Sequence, residues 1–382
     1  MDPAASPYDL VIRGGTLIDA AAGVHGERDV AIRGDRVVAV ADRIGTDRAT
    51  ETIDARGKIV LPGLIDLHAH LFFGYHGARP DQACLPRGTT TAVDGGSAGA
   101  NAFAAFEEYV IRTSRTRVKA WLNISTLGLI EIRVGELMNL LCVDVEAAVR
   151  TAKRYPGSIV GFKVRLSEYV AGADFKPALR LAREAADAAA LPLMVHIGDT
   201  NEPLPAALAL LRAGDVVTHA FTGRRHGILD PHGRVLDAVR EARAAGVWFD
   251  AAHGRRHFGF AAIRSALDQG FLVDTLSSDT SARSTADPAY HLPLLMSKLM
   301  ALGLGLDDVV PLVTSNPARF LARPGELGTL ATGALADVAI LEEVEGDTRL
   351  SDAEGQTIEA GRRLRPWRTV RAGRVVEASP DA

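Results

Sequence analysis

A chain of 382 residues is too long for one small core and fits one large α/β barrel of about 250 residues plus an accessory piece. With a formal net charge of -4, 24% charged and 47% hydrophobic residues, it has the composition of a soluble globular protein and gives no reason to expect nucleic acid or an anionic membrane surface as partner. Two cysteines, Cys84 and Cys142, are too few for a disulfide framework or a thiolate metal site, so a reducing cytoplasm is the expected setting. "MDPAASPYDLVIRGG" shows no basic start followed by an apolar core, and no apolar run approaches the roughly 18 residues of a membrane span. Neither a secretory signal nor a membrane anchor is expected.

The first sixty or so residues read as short strands divided by turns. "DLVIRGGTLID", "GERDVAIRGDRVVAV" and "ETIDARGKIVLPG" alternate apolar and polar positions with Gly-Gly and Gly-Asp punctuation. The tail returns to that style in "LGTLATGALADVAILEE" and "PWRTVRAGRVVEA". Residues 1–61 and 326–382 are therefore expected to pack together as one small β-sandwich around a different middle. From 62 to 325, short apolar runs alternate with alanine-rich helical stretches such as "FKPALRLAREAADAAA" and "VLDAVREARAAG". Eight strands are predicted: Leu64–His70, Thr90–Gly95, Val118–Ser125, Ile159–Leu166, Leu193–Ile197, Val216–Phe221, Val247–His253 and Val273–Asp279. Strands alternating with helices pair in parallel, and eight such units predict a closed (β/α)8 barrel. The long insert "TLGLIEIRVGELMNLLCVDVE" after the third strand is expected to form a lid or substrate loop.

Polar residues recur near the ends of these strands. The first carries His68 and His70 in "DLHAH", the fourth Lys163, the fifth His196, the sixth His219 and the eighth Asp279. Barrel active sites form at the C-terminal strand ends, where side chains from different strands converge. Lys163 interrupts the apolar strand "IVGFKVRLS" in a chain where only six of 43 basic residues are lysines. Each residue has a plain structural alternative: an incidental His pair, a hydrogen-bonded core histidine, a helix-capping aspartate, a snorkelling lysine. Packing alone would have to place all six, on five strands, at the same end. Imidazole and carboxylate oxygen are the donors that divalent metals such as zinc prefer.

The segments "GLIDLHAH", "GFKVRLS", "MVHIGD", "THAF" and "SSDT", in this order, resemble the amidohydrolase superfamily, specifically its dihydroorotase-like, deacetylase-type branch. The split β unit, "TSNPAR" at Thr314–Arg319 and "GALADVAILE" at Gly333–Glu342 extend the resemblance over nearly the whole chain. It implies a binuclear centre of two divalent ions, most simply Zn2+, with His68, His70 and Asp279 holding one ion, His196 and His219 the other, and Lys163 bridging them. In that role Lys163 has reacted with carbon dioxide to become N6-carboxylysine. The chemistry suits the position, because desolvation favours the neutral amine that carbamate formation needs. The implied reaction is attack of a metal-bound hydroxide on an acyl carbon, with Asp279 as general base.

Asn123 in "WLNIST", His253 in "DAAHG", and Arg165 and Tyr169 after the lysine are candidates to face substrate. Arg255, Arg256 and Arg283 are alternatives on neighbouring loops, most of them read as solvated. His76, His226, His232 and His257 lie in loop-like contexts rich in glycine and arginine and are read as surface residues, whereas His25 and His291 carry no signal. Arginine-rich loops after Ser125, in "HGRRHFGF" and in "TSARSTADPAYH", point to a small substrate carrying an acid group. A deacylase cleaving a small ester or amide is the leading expectation, with a cyclic amidase as the alternative and a non-catalytic member of the fold as a third. A mononuclear deaminase fits less well, since it needs no lysine on the fourth strand and its usual glutamate is missing from "VHIGDTNE". Barrels of this kind often assemble through their outer helices, so a homo-oligomer is compatible with the sequence.

Overall fold

A computed structural model describes residues 7–379 apart from 46, 48, 75 and 285–289. The N-terminal segment supplies β1 (Tyr8–Asp19), β2 (Val24–Arg33), β3 (Arg36–Ala41), β4 (Ala49–Asp54) and β5 (Ile59–Pro62). The barrel strands follow: β6 (Leu64–Ala69), β7 (Thr89–Asp94), β8 (Arg117–Asn123), β9 (Ile159–Arg165), β10 (Leu193–His196), β11 (Val216–Thr218), β12 (Trp248–Ala252) and β13 (Thr275–Ser277). The chain ends in β14 (Val338–Ser351), β15 (Thr357–Arg371) and β16 (Arg374–Glu377).

Strands β6 to β13 pair in parallel in chain order, each predicted strand appearing within three residues of its expected bounds. The ring closes where His70 N–H donates to Thr280 O at 2.7 Å and Asp279 N–H donates to His68 O at 2.7 Å. This closure seats His68, His70 and Asp279 side by side. Alternation along each strand divides the side chains: Phe162 and Val164 of β9 face the helices, as do Val195 of β10 and Val217 of β11. Their neighbours Lys163, Arg165, His196 and Thr218 consequently point into the barrel. The lower interior is filled by Ile65, Leu67, Val93, Trp121, Met194 and Val216. The barrel is plugged at that end and free for chemistry at the other.

The outer helices form as their composition requires. In Lys176–Ala189, Pro177 sits in the first turn, alanines dominate, and Ala178, Leu179, Ala182, Ala185 and Ala186 make one buried face. The helix stops at Ala190, which turns into the left-handed region at φ 53°. None of the described helices is long and apolar enough to cross a membrane.

The two ends of the chain build one β unit, as expected. Its eight strands form a single branched mixed sheet in the order β16-β15-β14-β5-β1-β2-β3, with β4 joined to β1. A bulge between Ile12 and Gly15 lets the first half of β1 pair with β4 and the second half with β5. Leu10, Ile12, Val30, Ile32, Val338 and Ile340 give this unit a core of its own. The long β14–β15 hairpin leaves it and lies along the helix Leu292–Ala301 to reach the barrel rim. There Ala353 N–H donates to Phe258 O at 2.8 Å, and Asp352 Oδ2 accepts the Phe260 N–H at 2.8 Å.

Candidate metal centre

All six residues expected to form the centre meet at the C-terminal end of the barrel. Lys163 is fully buried, with Nζ 3.2 Å from His68 Nε2 and 3.3 Å from Met194 Sδ. Its partners are an imidazole nitrogen and a thioether rather than a carboxylate. Burial accordingly pushes the ammonium down to about 7. Asp279 Oδ1 lies 3.0 Å from His70 Nε2 and 3.7 Å from His68 Nε2. Burial works against ionisation of Asp279, and the contact with His70 favours its anionic form.

The histidines are oriented from behind. The Thr218 hydroxyl donates to Asp250 Oδ2 at 2.7 Å, which leaves its oxygen to accept from His68 Nδ1–H at 2.9 Å. The Nε2 lone pair of His68 then faces Lys163. His219 Nδ1–H can only donate to the Ala252 carbonyl, at 3.0 Å, so its Nε2 also carries a lone pair. His70 Nδ1 is fixed 2.9 Å from Ser97 Oγ. Burial drives His68 and His196 well below the usual imidazole range and His219 to about 4, which leaves these rings neutral. Neutral rings held through their far nitrogens are what metal ligation requires.

The Nε2 atoms of His196 and His219 are buried with no hydrogen-bond partner. Unpaired buried polar atoms are uncommon because each keeps its full desolvation cost, about 1–3 kcal/mol. Here, two such nitrogens aim into one cluster. The donor atoms of His68, His219 and Asp279 lie within 4.8 Å of one another, as do those of His196, His219 and His257. The donor set fits borderline divalent cations. Backbone shape cooperates: His219 and Asp279 adopt positive φ of 70° and 51°, which bends both side chains at their strand ends. A Cβ on Gly95 would fall 2.2 Å from the His68 ring, and one on Gly254 would fall 2.1 Å from Asp279 Oδ2. Glycine is what lets these loops close over the ligands.

A cavity of about 520 Å3 opens over this cluster, lined also by Leu129, Arg165, Tyr169, Arg224, Arg255, Arg256 and Arg283. Arg165 and Tyr169 face it as expected. Arg165 is already paired, donating to Glu136 at 3.2 Å and to the Tyr169 hydroxyl at 3.0 Å. Leu129 brings the expected substrate loop to the cavity, anchored by its N–H on Ser97 O at 2.9 Å. The loop "TSARSTADPAYH" contributes Ser281 and Arg283, while its residues 285–289 lie outside the described residues.

Four expectations need correction. Asn123 does not line the cavity: its amide donates to Gly96 O at 2.9 Å, and its oxygen accepts Ser125 N–H at 2.9 Å. His253 is fully buried behind the wall, with Nδ1–H on Gly254 O at 2.5 Å and Nε2 2.7 Å from Lys298 Nζ. His76 and His257, read as surface residues, line the cavity instead. His76 stacks toward His70 with ring centres 5.4 Å apart, and His257 is 6% exposed beside His196 and His219. His226 is half-buried on Thr200, His232 is exposed, and His25 pairs at the surface with Asp307. Arg224 and Lys298 were not anticipated. Lys298 was detectable by the logic used for Lys163, since it interrupts the apolar helix "LPLLMSKLMA".

The model of the Amidohydrolase family matches residues 59–376. A protein named Deacetylase Atu3266, from Agrobacterium fabrum, is 32% identical over 355 residues, 92% of this chain and 87% of its own length. Two solved structures superpose closely. A crystal structure titled as an adenine deaminase has a TM-score of 0.89 and 32% identity, covering 97% of this chain and all of its own. One titled as a dihydroorotase has a TM-score of 0.88 and 30% identity, covering 97% and 98%. By its sequence, its barrel and the residues gathered at the barrel mouth, this chain belongs to the amidohydrolase family.

Proposed function

We propose that this amidohydrolase-family hydrolase is a binuclear metalloenzyme that removes a small acyl group, such as acetyl, from an ester or amide whose remaining part carries a carboxylate. The observation that supports the reading is the pair of unpartnered, inward-aimed Nε2 atoms on His196 and His219, set beside His68, His70, Asp279 and a lysine held near neutrality. His68, His70 and Asp279 would hold one divalent ion, and His196 and His219 the other. Zinc is the natural choice for such donors. When bound, the ions would activate a water and polarise the scissile carbonyl.

The chain's own residues supply the rest. The neutral Lys163 amine can add to carbon dioxide, forming an N–C bond and releasing one proton, to give an anionic carbamate able to bridge two cations. An arginine in its place could not, because its guanidinium stays protonated. Asp279, anionic and oriented by His70, is placed to take the proton of the attacking water and pass it to the leaving group. Arg224, Arg255, Arg256 and Arg283 around the mouth make the entrance cationic and favour an acidic substrate. The two cysteines are unpaired, in keeping with a reducing compartment.

A cyclic amidase is the second reading, favoured by the dihydroorotase-titled structure at 30% identity. The test is metal content per chain beside hydrolysis of acetyl esters, N-acetyl amino acids and cyclic imides. About two ions with turnover of the acyl compounds supports the first reading. Turnover of rings alone moves the assignment to the second, and a metal-free protein after metal- and bicarbonate-supplied expression rejects both.

A further inference from the structure

We infer that His257 is a third imidazole ligand of the metal position held by His196 and His219, an addition to the six residues that the family pattern assigns. The inference rests on the binuclear reading above.

The ring centre of His257 lies 4.8 Å from that of His196 and 4.3 Å from that of His219, a spacing close to the 4.2 Å between those two. Donor nitrogens of all three lie within 4.8 Å of one another. Nδ1 of His257 meets Thr222 Oγ1 at 3.1 Å, which leaves Nε2 as the nitrogen free to ligate. A ring held at one nitrogen by a hydroxyl is the arrangement that also orients His68.

The segment that carries it is fastened from three sides. His257 N–H reaches His253 O at 3.3 Å, and Gly259 N–H donates to Phe221 O at 3.0 Å. The β14–β15 hairpin holds the next turn through Ala353 and Asp352. His257 is therefore in place before any ion arrives, and ligation need not order a loop. Three imidazoles in one buried cluster, two of them with unpartnered Nε2 atoms, make a nitrogen-rich position beside the position with two imidazoles and a carboxylate at His68, His70 and Asp279. The two positions would then differ in donor set and in affinity.

The experiment uses the full-length chain, stripped with a chelator and reloaded with Co2+. A crystal structure of the loaded wild type should show a His257 nitrogen about 2.0–2.1 Å from an ion. In solution, His257→Ala should weaken one of the two Co2+ sites by more than about 100-fold, beyond the 10–100-fold loss typical of removing an orienting neighbour. The visible Co2+ spectrum of that site should change as well. An ion bound by His196 and His219 but out of reach of His257, with both affinities unchanged in the variant, overturns the inference and leaves the binuclear reading standing. Absence of bound Co2+ in the wild type overturns both.

Discussion

Among the described residues two lysines are buried, and their surroundings differ instructively. Lys163 and Lys298 are 1% and 2% exposed, and burial pushes each down to about 7. Lys163 opens onto a cavity among imidazoles and Asp279. Lys298 is closed in behind the barrel wall, donating to His253 Nε2 at 2.7 Å with the rings of Tyr290 and Phe258 at 5.3 and 6.0 Å. A depressed ammonium is therefore not by itself a mark of chemistry. Access and the company of metal-type side chains set Lys163 apart from Lys298.

This contrast can be broken by substitution. Lys163→Ala should lower turnover by more than roughly 10³-fold, beyond the loss of a single preorganised donor, and should lower metal content in parallel. A short carboxylic acid added to the assay should restore part of the activity by standing in for the carbamate. Unchanged turnover and metal content would remove the lysine from the centre. Asp279→Asn, which keeps the shape and removes the base, should cost roughly 10²–10⁴-fold in kcat, with any surviving rate losing its acid limb in the pH profile.

Lys298→Met should act on stability instead. In the unfolded chain this ammonium titrates near its ordinary value of about 10.4, but in the fold it titrates near 7. Between those two values the unfolded state binds more protons, so stability rises with pH across the window; below it both states are protonated and the dependence stops. Thermal melts of wild type should steepen between neutral and alkaline pH relative to Lys298→Met, with little difference in turnover near neutrality. Equal slopes would mean that the ammonium is not desolvated as described. The smallest effect belongs to the mouth: Arg255→Met and Arg256→Met should each raise KM for an acid-bearing substrate by about 5-fold, the scale of an exposed charge pair, and leave kcat and neutral acetyl esters unaffected.

The eight barrel strands and the six clustered residues were legible because both signals are local. An apolar run bounded by helical stretches identifies a strand, and a polar residue at its end points to the barrel mouth. The errors share one cause. Asn123 and His253 are also polar residues at strand ends, yet their partners Gly96 and Lys298 lie 27 and 45 residues away and turn them from the cavity. His257 sits in "HGRRHFGF", which reads as a solvated loop, and is buried because Phe221 and the β14–β15 hairpin hold that loop down. No neighbour of His257 in sequence reveals this.

Sequence alone thus determined the periodicity of the barrel, the joining of its two β-rich ends, and the residue types collected at the strand ends. These follow from backbone geometry, which repeats every few residues. Tertiary structure decided which way each side chain at the rim faces, which lysine meets the cavity, and that the His257 ring stands beside His196 and His219. Those outcomes depend on contacts made by loops and by a hairpin from the far end of the chain, and distant packing of that kind leaves no local pattern to read.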